Sequence, residues 1–148
     1  MYKKIIFTML TVLLTVGLAW ASPVNTTIID TTELNADPVA VSSSVHNIQD
    51  YKKVGFWVSY DETQVGESVS LAVTLTVSYD GTNFVSGSFM DVAGTTTPQT
   101  SETLSADGWY FFWLEAGWPF KYIKVTLTAT NTDADDLASV AAYMAGVK

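Results

Sequence analysis

The sequence contains no cysteine, no arginine and a single histidine among its 148 residues. Each absence closes off a chemistry. Without cysteine there is no disulfide, no thiolate nucleophile and no sulfur-built zinc centre. Without arginine, and with only seven lysines, the bidentate forks and cationic clusters that grip phosphate are missing. The net charge is −8, and nucleic acid and anionic membrane surfaces are accordingly poor partners. His46 alone cannot build a multi-histidine metal site, and no GxSxG elbow offers it an activated serine, so it reads as a structural or surface residue. Two carboxylates across a cleft would suffice for glycosidase chemistry. The acidic residues Asp61, Asp80, Asp91 and Asp107 sit at turn-like positions, where solvated carboxylates are expected anyway. The chain reads as non-enzymatic.

Helical periodicity is also scarce, and what replaces it is alternation. In "SVSLAVTLTVSYDG", Val69, Leu71, Val73, Leu75 and Val77 take one face and serines, threonines and Ala72 the other. Asp80-Gly81 then marks a turn, and "FVSGSFM" reads as the returning strand of a hairpin. "KVGFWVSY" places Val54, Phe56, Val58 and Tyr60 inward with Trp57 opposite, and "YIKVTLTA" sets Ile123, Val125 and Leu127 against Tyr122, Lys124, Thr126 and Thr128. "LASVAAYMAGV" suits helix or strand by composition; the turn-like "NTDADD" before it favours a closing strand over Ser139 to Ala145. Many short strands without crossover helices predict an all-β fold, a single antiparallel β-sandwich or jelly-roll-like domain. An outer-membrane barrel would need an apolar outer face on every strand, whereas the outer faces of 68–78 and 122–129 are Ser, Thr and Lys.

Ahead of this domain lies a leader. Lys3 and Lys4, the apolar run "IIFTMLTVLLTVGLAW" and the small residues of Ala19-Trp20-Ala21 predict a signal peptide over 1–21, cleaved before Ser22. The run is short for a membrane span, so no integral span is expected in the mature chain. The expected destination is extracellular or the cell surface. Residues 22–47, rich in Ser, Thr, Val and Asn and broken by Pro23 and Pro38, read as an extended N-terminal segment ahead of a sandwich over 48–148. Val24, Ile28 and Ile29 in "VNTTIID" suit either a donor strand that adds to a neighbour's sheet edge or a strand that pairs within the chain's own domain.

Two further features are candidates for binding. Asn131, Asp133 and Asp135 alternate as calcium-loop oxygen donors do, but Asp136 stands where such a loop wants Gly and no Glu follows at the expected distance, so a plain Asx-rich turn is the favoured reading. Calcium is the one cofactor the sequence leaves open. The other feature is "GWYFFWLEAGWPF", residues 108–120. On a strand, Trp109, Phe111 and Trp113 share one face and Tyr110, Phe112 and Leu114 the other. Three rings would bury on the order of 450–750 Å², against ~300–600 Å² for the largest apolar patch of a typical monomer. Both rows are therefore expected to be covered. The cover can be the chain's own loop, with Trp118 and Phe120 folding back; a polysaccharide stacked on Trp57, Trp109, Trp113 and Trp118; or another copy of the chain, since interface cores favour Trp, Tyr and Phe. The functional expectation is a structural or adhesive subunit that self-assembles into a filament or sheet, with a carbohydrate-binding module as the alternative.

Overall fold

A computed structural model of the chain describes residues 24–63, 68–91, 98–114, 119–133 and 135–147. The signal peptide expected over 1–21 and Trp118 lie outside the described residues. Eleven strands are described: β1 (Val24–Leu34), β2 (Val39–Ser42), β3 (His46–Asn47), β4 (Lys53–Thr63), β5 (Ser70–Ser78), β6 (Val85–Ser86), β7 (Met90–Asp91), β8 (Ser101–Leu104), β9 (Gly108–Leu114), β10 (Tyr122–Thr130) and β11 (Leu137–Val147). They form two antiparallel sheets packed face to face, a jelly-roll-like β-sandwich. Sheet A runs β1-β11-β4-β9-β7. Sheet B runs β2-β10-β5-β6, with β3 beside β2 on β10 and β8 beside β6 on β5.

The period-two pattern decides which residues meet between the sheets. From sheet A come Phe56, Val58, Tyr60, Phe112, Val140, Ala142 and Met144; from sheet B come Leu71, Val73, Leu75, Val77, Ile123, Val125 and Leu127, all buried. Phe56 and Phe112 are direct cross-strand partners, stacked with ring centroids 5.1 Å apart. Phe89 closes the group edge-on, 5.8 Å from Phe56 and 5.1 Å from Phe112. Burial holds the Tyr60 phenol well above its ordinary pKa, aided by the hydrogen bond it donates to Glu62 Oε2 at 2.6 Å.

The structure revises two readings of local sequence. "FVSGSFM" is not one strand: Val85–Ser86 pairs with β5 in sheet B, while Met90–Asp91 pairs with β9 in sheet A. The chain changes sheets between them, and Phe89 enters the core at the crossing. The extended segment over 22–47 is, from residue 24 on, part of the sandwich. β1 pairs with β11, and β2 and β3 pair with β10. This corrects the expectation of a free donor arm: Ile28 and Ile29 are buried in the chain's own core, and Val24 pairs with Gly146. The apolar residues that would fill a neighbour's pockets fill the protein's own.

The outer face of sheet B is wet. Ser42 Oγ and Thr126 Oγ1 lie 2.8 Å apart, as do Ser70 Oγ and Thr130 Oγ1. Thr74 and Thr76 donate to the carbonyls of Thr126 and Lys124, each at 3.3 Å. At one end of β5 the chain turns on Asp80. Asp80 Oδ1 accepts the amides of Thr82 and Asn83, both at 2.8 Å, and Gly81 takes φ 79°, the left-handed conformation glycine adopts without steric penalty.

Two outcomes follow from this packing. Phe112→Ala removes the shared member of the ring trio, and urea denaturation should show a loss of about 3–5 kcal/mol. The hydrogen bonds from Asn83 and Thr82 hold the Asp80 carboxyl below the usual carboxylate range. Its folded-state pKa therefore lies below its unfolded one. The stabilisation is full above the unfolded value of about 4 and is lost as pH falls through the depressed folded value. Asp80→Ala should accordingly lower the thermal midpoint more at neutral pH than in acid, as read by melts across that interval.

Candidate functional site

Alternation that buries Phe56 and Phe112 forces their neighbours outward. Along β4 the outward positions are Lys53, Gly55, Trp57, Ser59 and Asp61. Gly55 pairs with Trp113, Trp57 with Phe111 and Ser59 with Trp109 on one side. On the other side, Gly55 pairs with Ala145, Trp57 with Tyr143 and Ser59 with Ala141. The result is an aromatic face across the middle of sheet A. Trp109 is 66% exposed, Trp113 41% and Trp57 40%. The row expected to be covered is thus exposed in part, and the loop over 115–118, one of its three possible covers, lies outside the described residues. The described residues supply no third layer over sheet A, so the row that cannot point into the sandwich points into water.

The rings interlock. Trp57 meets Phe111 edge-on at 4.7 Å, and Phe111 meets Trp113 edge-on at 4.5 Å. Trp109 reaches across β4, over the small Ser59, and stacks on Tyr143 of β11 with centroids 5.8 Å apart and planes 27° apart. Small residues make these positions possible. A Cβ on Gly55 would sit 2.5 Å from Phe111 Cζ, so the ring lies directly on the glycine backbone.

Two hollows flank Trp57. The larger, about 500 Å³, is walled by Trp57, Phe111 and Trp113, bordered by Ala145, Gly146 and Val147, and has Lys53 at its rim. The smaller, about 150 Å³, lies between Asn25, Trp57, Trp109 and Tyr143. Lys53 marks one end of the β4 row and Asp61 the other, both exposed.

The remaining sequence candidates fall elsewhere. Phe120 is partly buried and packs against the core; it belongs to the sandwich rather than to the aromatic face. Asp133 Oδ1 accepts the amides of Asp135 and Asp136, both at 2.8 Å, and Asn131 Nδ2 donates to Ser68 O at 3.0 Å. These groups are engaged in shaping the turn. Among the described residues no cluster of three or more His, Cys, Asp or Glu side chains is gathered for a metal ion. His46 Nε2 lies 3.2 Å from Ser44 Oγ, and burial pushes its pKa down. Sequence reading missed Tyr143, Asn25, Gly55 and Ala145. Tyr143 could have been found only by knowing that β11 lies beside β4.

No family model and no curated protein sequence matches the chain. It is similar in structure to the PBSX exported protein XepA, at 12% identity and TM-score 0.55, over 84% of this chain and 37% of that one. It is similar to the SPBc2 prophage-derived protein YomS at 10% identity and TM-score 0.51, over 84% and 94%. A third likeness is to VP2 of the infectious bursal disease virus subviral particle, at 16% identity and TM-score 0.50, over 85% and 32%. The chain thus spans about a third of XepA and of VP2, and most of YomS. At these identities the likeness is one of fold. Among the described residues no helix is long and apolar enough to cross a membrane.

The close seat of Phe111 on Gly55 gives a direct check. Gly55→Ala should destabilise the protein by about 1–3 kcal/mol through overpacking, and the displaced ring should change the tryptophan fluorescence of the folded state.

Proposed function

We propose that the chain is a non-enzymatic structural or adhesive subunit, exported to the cell surface or medium, that associates with copies of itself through the aromatic face of sheet A. The observation that carries this reading is the joint exposure of Trp57, Trp109 and Trp113 on one face, while the opposite outer face is lined with hydroxyls. Tryptophan, tyrosine and phenylalanine are the residues enriched at the centre of protein interfaces. The edge-on packing of Trp57, Phe111 and Trp113 produces a ridged apolar relief rather than the flat, coplanar platform that sugar rings stack upon. The fold also occurs in an exported protein, a prophage-derived protein and a subviral-particle protein, settings in keeping with a subunit role. At the margin of the same sheet, β1 has β11 alone as its partner among the described residues, which offers an edge for strand addition.

One observation favours a second reading. The near-parallel Trp109–Tyr143 pair beside Asn25 combines an exposed indole face with an amide able to bond hydroxyls, the elements of a polysaccharide subsite.

Sedimentation velocity on the protein isolated from producing cells, with electron microscopy of shed material, tests the first reading. Wild type should form species larger than a monomer. Trp109→Ser and Trp113→Ser should sediment as monomers with unchanged melting behaviour. A wild type that stays monomeric at every concentration overturns self-association. Retardation in polysaccharide gels, lost in Trp109→Ser, would then support the second reading.

A further inference from the structure

Resting on the self-association proposed above, we infer that the occupant of the aromatic face is a second copy related by a two-fold axis lying in the face, perpendicular to its strands and passing through Trp57. About that axis the face is complementary to itself in relief and in charge. Trp57 is midway between Lys53 and Asp61 on the outward row of β4. A half-turn about Trp57 carries the level of Ser59 onto that of Gly55 and the level of Asp61 onto that of Lys53. At the Ser59 level stands the most exposed indole, Trp109, braced on Tyr143. At the Gly55 level lies the hollow of about 500 Å³ between Trp57, Trp113 and Ala145. The operation therefore lowers the projecting indole of each copy into the hollow of the other.

Charge points to the same axis. Lys53 of each copy comes to face Asp61 of the other, placing opposite charges at both ends of the contact. A two-fold axis along β4 would instead set Lys53 against Lys53 and Asp61 against Asp61. For a chain of net charge −8, bringing acidic ends together adds repulsion that opposite pairing avoids.

The size is adequate for a specific but modest pair. Lys53 to Asp61 spans ~26 Å, and four strands ~4.8 Å apart give a width near 19 Å. The projected footprint is about 500 Å², larger once the ridged side chains are followed, against roughly 800 Å² per partner in a standard interface. Association should accordingly be concentration-dependent.

Charge reversal decides the orientation. Lys53→Glu and Asp61→Lys, both at exposed positions, should each raise the dimer dissociation constant by roughly tenfold at low salt, because each creates two repulsive pairs per dimer. The double variant Lys53→Glu/Asp61→Lys should return the constant to near the wild-type value. Dimerisation left unchanged by both single variants, or not restored by the double, overturns the axis while leaving self-association intact. A wild type without any dimer would overturn both. Trp109→Ser, which removes the projecting indole and leaves the charges, should abolish the dimer; its persistence would also overturn the inference.

Discussion

The direct pairing of Phe56 with Phe112 is the contact on which the rest of the molecule depends. It fixes the register of β4 against β9 at the centre of sheet A, and a strand's side chains can only alternate. With those rings inside, Trp57, Phe111, Trp113 and Trp109 must lie outside. A shift of β9 by one residue would turn Trp109, Phe111 and Trp113 inward and Tyr110, Phe112 and Leu114 outward. Phe89 then locks the register from the corner where the chain leaves sheet B. The aromatic face is thus a geometric corollary of core packing.

That dependence explains how much could be read from sequence. Alternation over 69–77 and 123–127 assigns those residues to the core without any knowledge of partners. The split of Trp109, Phe111 and Trp113 from Tyr110, Phe112 and Leu114 is equally local. What lay beyond reach was adjacency. Tyr143 joins the face only because β11 pairs with β4, a contact between segments some eighty residues apart. Gly55 and Ala145 matter for what rests on them, and an absent side chain leaves no trace in a periodic pattern. The segment 84–90 misled because one apolar run served two sheets in turn. Likewise, "VNTTIID" has the composition of a strand seeking an edge, and composition does not say whose edge it finds.

The two outer faces solve the exposure problem in different ways. On sheet B, serine and threonine hydroxyls bond to one another or to neighbouring carbonyls and leave a surface that water can wet. On sheet A, Trp57, Phe111 and Trp113 meet edge-on and Trp109 stacks on Tyr143, arrangements that suit their quadrupoles but still leave apolar area in water. It is on this difference that the proposed association through sheet A rests.

The hydroxylated skin of sheet B has a consequence for the shape of anything larger. If two sandwiches join through sheet A, the product is a slab four sheets thick with a hydrated surface above and below. Among the described residues neither surface carries a second aromatic row, although Tyr79 and Val85 stand exposed beside the hydroxyls. Growth remains open in the plane, where β1 and the short strands at the margins still carry unpaired backbone. Under the proposed association, a thin layer extending sideways is the form such a building block would take.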